Sequence, residues 1–76
     1  MLRKQFGYRL QEVMENKKIS YSDLAKKSDV SRDHIYHIVD GSKEVGIDTI
    51  EKLSDALEVE PKELFEFNGL SDESNV

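Results

Sequence analysis

Residues 21–41, YSDLAKKSDVSRDHIYHIVDG, constrain the chain most, because they hold two short helical patterns separated by only a few residues. Leu24 and Ala25 give the first pattern an apolar side, and the small Ala25 permits a close crossing. Ile35, Ile38 and Val39, at i, i+3 and i+4, give the second its own apolar side. Between them, Ser28-Asp29-Val30-Ser31 supplies turn chemistry. Aspartate tolerates the left-handed backbone well, and serine caps a following helix. The outward side of the second helix then carries Arg32, Asp33, Tyr36 and His37, a face of hydrogen-bonding groups.

Two helices joined by a tight turn, the second offered outward, form a helix-turn-helix pattern. Around it, a first helix is expected over about residues 2–16, with Leu2, Phe6, Leu10, Val13 and Met14 on one face. Arg3, Arg9, Glu12 and Glu15 fall mostly off that face. Ser20 is placed to cap the second helix. Asp40-Gly41-Ser42 stops the third, with Gly41 free to turn left-handed. Ile47, Ile50, Leu53 and Leu57 define a fourth helix. Pro61, welcome in a first helical turn, opens a short fifth with Leu64 and Phe65 apolar. No stretch alternates convincingly as a strand. The expected fold is all-α, five short helices around one core over residues 1–67, followed by an acidic, disordered tail at 68–76.

Seventy-six residues make one small domain, near the lower limit for folding without staples. The absence of cysteine removes a disulfide frame and a thiolate metal site, and fits a reducing cytoplasm. The opening MLRKQFGYRL lacks the apolar run of a signal peptide, and nothing is long enough to span a membrane, so a cytoplasmic protein is expected. A net charge of −5 argues against a simple nucleic-acid binder. The charge is divided, however: residues 1–38 carry eight Lys/Arg against five Asp/Glu, and residues 39–76 carry three against eleven. The first half can face a polyanion while the second faces elsewhere; two merely solvated surfaces would read the same way. His34 and His37 share an H-x-x-H spacing, but a closed zinc site would need carboxylates as well. No nucleophile elbow or phosphate-cradling loop occurs. Neither an enzyme nor a cofactor, metal or small-molecule substrate is expected.

The order Leu24-Ala25, Val30-Ser31-Arg32, Ile35-x-x-Ile38, Gly41, Thr49-Ile50, Ala56-Leu57-Glu58-Val59 and Glu63-Leu64-Phe65 resembles the Cro and phage-repressor (XRE) type of helix-turn-helix DNA-binding domain. The resemblance covers about residues 6–65. It departs from the family pattern at Tyr21, where glutamine is usual, and at Asp29, where glycine is usual. Met14 and Val39 stand where the family often pairs a buried arginine with a glutamate. An apolar residue at both positions is chemically consistent, since a lone buried charge would be costly and a packed apolar pair would not.

The resemblance implies a lambda-repressor-like fold whose third helix enters the major groove, with Arg32, Asp33 and His37 facing bases and Tyr36 at the margin. Arg32 can donate two hydrogen bonds to guanine O6 and N7. Asp33 can accept from cytosine N4, or simply favour the start of its helix. His37, one turn beyond Asp33, can donate to a base or pair with that carboxylate. Phosphate contacts are expected from Ser31, Ser42, Lys43 and the amides near Gly46, with Tyr21 at a phosphate or positioning site.

The implied function is a sequence-specific regulator of transcription that binds double-stranded DNA, a repressor acting as a homodimer on a palindromic operator. Leu64, Phe65 and Phe67 offer more apolar surface than so small a core requires; part of this cluster, Phe67 foremost, is expected in a two-fold interface, the other reading being that all three close the monomer core. The alternative is a protein-interaction module on the same fold, an antitoxin or an antagonist of another regulator. The acidic second half, Tyr21 and Asp33 favour it; Arg32 and Lys43 favour DNA.

Overall fold

The computed structural model describes residues 2–66; Phe67 and the acidic segment 68–76 lie outside the described residues. Four α-helices follow in order, α1 (Leu2–Lys17), α2 (Tyr21–Ser28), α3 (Arg32–Val39) and α4 (Ile47–Leu57), and then a 3-10 turn, Pro61–Phe65. No strand occurs among the described residues. The expected all-α class therefore stands, but the count of five helices does not. Pro61 supplies the fixed φ of a first turn, and Glu60 and Glu63 close a reciprocal capping box around it. By Glu66 the backbone is already extended, at ψ 95°. Five residues close more readily with i→i+3 bonds than as an α-helix.

The ends of α2 and α3 follow local chemistry. Ser20 Oγ accepts from the Asp23 amide over 3.1 Å, and Ser31 Oγ accepts from the His34 amide over 3.1 Å. Asp29 takes the left-handed conformation, φ 63°, and donates its amide to the Ala25 carbonyl over 3.0 Å. Gly41 ends the region at φ 80°, where a Cβ would also press on Lys4.

The core is built from Phe6, Leu10, Val13 and Met14 of α1, Leu24 of α2, Val30 of the turn, Ile35 and Ile38 of α3, Leu53 and Leu57 of α4, and Leu64. Val39 packs against this cluster from its edge. Two residues expected on apolar faces stand out of it: Leu2 is 59% exposed and Ile47 77% exposed. Each is the first residue of its helix, and helical side chains lean toward the N-terminus, where no preceding turn lies beneath them.

Two contacts between distant parts of the chain fix α3 and the C-terminal turn. At Gly7 the backbone of α1 meets the end of α3 so closely that a Cβ there would lie 2.7 Å from the Ile38 carbonyl oxygen and 2.8 Å from the Val39 carbonyl carbon. Arg9, with a side chain only 13% exposed, donates from Nε to the Glu63 carbonyl over 2.6 Å, and its terminal nitrogens reach Glu12 at 3.0 Å and Glu66 at 3.4 Å. It ties the 3-10 turn to α1.

Candidate nucleic-acid interface

Ile35 and Ile38, 0% and 1% exposed, anchor α3, and this turns Arg32, Asp33 and Tyr36 outward. All three are exposed, and His37 is half-buried beside them. The face expected from helical spacing therefore exists as a surface. Its internal contacts differ in part from expectation.

Arg32 Nη1 donates to Ser22 Oγ of α2 over 3.0 Å. Tyr36 stacks on Tyr21, ring centroids 4.4 Å apart and planes tilted by 32°. Burial raises the Tyr21 phenol above its ordinary pKa of 10.0, with further contributions from Tyr36 and Glu15. The exposed surface thus spans two helices, with the first turn of α2 supporting the outward side of α3.

His37 turns away from Asp33, contrary to the i, i+4 pairing that the spacing allowed. Its Nδ1 lies 3.1 Å from Ser42 Oγ and 4.0 Å from Asp40 Oδ2. Ser42 closes this corner: its amide donates to Asp40 Oδ1 over 2.9 Å and to the His37 carbonyl over 3.0 Å. The carboxyl of Asp40 is held below the ordinary 3.8, first by the Ser42 hydroxyl, then by the Ser42 amide, with smaller contributions from His37 and Lys4. The imidazole thus finds its partners beyond the helix end rather than one turn back.

The candidate phosphate contacts lie around this surface. Ser31 is exposed and caps α3 with an oxygen lone pair, which leaves its O–H able to donate to a phosphate. Ser42 and Lys43 are both exposed, and both amides turn back to the His37 carbonyl, at 3.0 and 3.3 Å. Gly46 precedes α4 at φ −86°, with no side-chain cap on that helix, and a Cβ added to it would meet nothing within 4 Å. Tyr21 is half-buried under Tyr36, so its ring serves the α2–α3 contact whatever its hydroxyl does.

Of the three residues expected at a two-fold interface, the structure removes Leu64. Leu64 is 0% exposed and closes the monomer core, so it cannot face a second copy. The 3-10 turn that carries it packs against both α1 and α4. Phe65 is 40% exposed and packs on Phe6 with ring centroids 5.1 Å apart. Phe67 lies outside the described residues. An apolar groove of about 340 Å³ beside Phe65 is lined by Leu2, Phe6, Val45 and Ile50, with Arg3 and Glu44 at its rim.

Among the described residues no group of three or more His, Asp or Glu side chains is arranged to hold a metal, and no helix is long and apolar enough to cross a membrane. Sequence reasoning missed Ser22, Gly7 and the clamp made by Arg9. Ser22 lies ten residues before its partner and leaves no periodic mark; the two tyrosines could have been paired from their places on α2 and α3.

Comparison with known proteins places this geometry among relatives. A model of the Cro/C1-type HTH DNA-binding domain matches residues 9–69. The control protein C.BamHI of Bacillus amyloliquefaciens is 38% identical over 63 residues, 82% of this chain and 78% of that protein. The crystal structure of the restriction-modification controller protein C.AhdI from Aeromonas hydrophila is similar at a TM-score of 0.81 with 36% identity, over 83% of this chain and 96% of that one. The controller protein C.Esp1396I, solved as a tetramer in complex with its natural 35-base-pair operator, is similar at a TM-score of 0.79 with 27% identity, over 87% of each chain.

Proposed function

The chain belongs to the Cro/C1-type helix-turn-helix DNA-binding family, and from that premise we propose that it is a sequence-specific regulator of transcription, a repressor that binds a two-fold symmetric operator as a homodimer. Restriction-modification control is the setting its relatives suggest, since C.BamHI and C.AhdI are both named as controllers. In this reading the protein works in the cytoplasm, residues 1–67 are the binding domain, of lambda-repressor-like fold, and the acidic segment 68–76 stands outside it.

The observation that carries the reading is the outward face of α3, where Arg32, Asp33 and Tyr36 are exposed while Ile35 and Ile38 hold the helix to the core. Arg32 reads guanine, Asp33 accepts from cytosine, and Tyr36 and His37 complete the base-facing set. Ser31, Ser42, Lys43, the Gly46 amide region and Tyr21 engage the backbone on either side.

A domain of this size reads few base pairs, and two copies with half-sites about 34 Å apart double the information. The surface that supports pairing is the groove beside Phe65 together with Leu2 and with Ile47, one turn before Ile50. Arg3 and Glu44, 3.8 Å apart at its rim, give this surface one charge of each sign, a pattern compatible with pairing about a two-fold axis.

Selection of bound fragments from random duplex DNA at fixed salt tests the proposal. Enrichment of a palindrome is expected. Arg32→Ala should then cost about 1–3 kcal/mol on the enriched duplex and relax one base position. Lys43→Ala should weaken all duplexes alike and flatten the logarithmic salt dependence by about one unit. A library that returns no enriched sequence would favour the protein-interaction module instead.

A further inference from the structure

We propose that Ser22 is a positioning residue for Arg32, holding one guanidinium nitrogen so that the opposite edge is presented to a base. The inference rests on α3 being the recognition helix. Ser22 Oγ accepts from Arg32 Nη1 over 3.0 Å, and both residues are exposed. The chemistry of the fork gives this contact its meaning. A planar guanidinium has five N–H donors in fixed directions. Nε and Nη2 share one edge and point the same way, a pair that matches guanine O6 and N7; the other such pair, Nη1 with Nη2, uses the nitrogen that Ser22 engages. A tether on Nη1 leaves the reading edge clear and reduces the rotamer freedom that Arg32 would otherwise lose on binding.

The anchor is itself well placed. Ser22 follows Tyr21, whose ring is stacked on Tyr36, so the first turn of α2 is fixed against α3 on the exposed side. The Ser22 side chain is not what starts α2, because Ser20 provides the cap through the Asp23 amide. Removing its hydroxyl therefore leaves the helix intact and isolates the contact to Arg32.

The test is a cycle of Ser22→Ala, Ser22→Thr, Arg32→Ala and the double variant Ser22→Ala/Arg32→Ala. Each is titrated against the duplex enriched from a random library and against versions with one base pair changed. Ser22→Ala should lower discrimination at the Arg32-sensitive base pair by about 3- to 10-fold, the worth of one ordinary net hydrogen bond. The slope of affinity against salt should not change, and Ser22→Thr should restore discrimination. In the Arg32→Ala background, Ser22→Ala should change nothing. An equal loss in both backgrounds would mean that Ser22 touches DNA on its own account, and the positioning role would be wrong. Loss of discrimination in Arg32→Ala but none in Ser22→Ala overturns this inference alone. Full discrimination retained by Arg32→Ala overturns the recognition-helix reading and this inference with it.

Discussion

Tyr36 of α3 packs on Tyr21 of α2, with ring centroids 4.4 Å apart and planes tilted by 32°, on the side of the molecule that carries Arg32. The two rings join the helices at the edge of the core, with Tyr21 packed against the cluster that holds Leu24, Ile35 and Ile38 and with Tyr36 exposed. Offset aromatic pairs contribute about 0.5–1.5 kcal/mol beyond their buried area. The position of α3 relative to α2 is thus held from both sides.

The phenol of Tyr21 should titrate above 10.0, because burial and then Tyr36 and Glu15 disfavour its ionised form. A raised folded pKa means that the contribution to stability is complete below pH 10 and is lost as pH rises through the folded value. Tyr36→Phe keeps the ring and removes the second phenol, so the Tyr21 midpoint should fall while staying above 10.0. Ring-carbon resonances of Tyr21, followed with pH in the parent and in Tyr36→Phe, measure both. A midpoint at or below the ordinary value would contradict the packing.

Gly7→Ala should destabilise the fold by about 1–3 kcal/mol through overpacking against the Ile38 and Val39 backbone. Helix propensity alone would favour alanine by about 1 kcal/mol, so the sign of the measured change decides between the two effects. Urea melts read it directly; a stabilised variant would show that α1 and α3 separate at little cost.

Arg9→Met should cost about 1.5–3 kcal/mol, since it removes charge-assisted hydrogen bonds to the Glu63 carbonyl and to Glu12 from a side chain that is largely covered. Glu66→Gln should stay within about 0.5 kcal/mol, because that carboxylate is exposed and its bond is long at 3.4 Å. Equal effects from the two changes in denaturant midpoint would assign the clamp to the ion pair and not to the carbonyl.

Met14→Arg places a charge in a site that is 4% exposed and should cost on the order of 3 kcal/mol or more. Val39, packed against the same cluster, is the position from which glutamate should recover part of the loss. A neutral thermal melt for the single change would show that the site opens to water.

Asp40 should titrate below 3.8, and Ser42→Ala should bring it back toward that value, since the Ser42 hydroxyl is the largest cause of the shift. A lowered carboxyl contributes stability above its ordinary pKa, and this is lost as pH falls through the folded value. Carboxyl carbon resonances followed from neutral pH to pH 2 provide the check.

What the amino-acid sequence showed most clearly were features decided within a few residues. Ser20 and Ser31 cap, Asp29 and Gly41 turn left-handed, and Ile35 and Ile38 anchor one face, each through contacts at i+3 or i+4 or through the residue's own backbone preference. The outward set Arg32, Asp33 and Tyr36 followed from the same periodicity. What was hidden depends on separation. Ser22 meets Arg32 across ten residues, Arg9 meets Glu63 across fifty-four, and Gly7 looks like a weak point in a helix until the end of α3 is laid over it. Ile47 and Leu64 reversed expectation for a related reason: spacing tells which side of a helix is apolar, but only the packed molecule tells how far along its length the cover extends.

The close crossing at Gly7 has a consequence for modularity. The two-helix segment is commonly imagined as a cassette, yet the end of α3 that sets its angle is seated on a helix that precedes the cassette in sequence. Transplanting residues 21–41 into another scaffold would carry the side chains across and leave their aim behind. The smallest portable unit starts with α1, and because Arg9 fastens α1 to the 3-10 turn, it extends to Phe65.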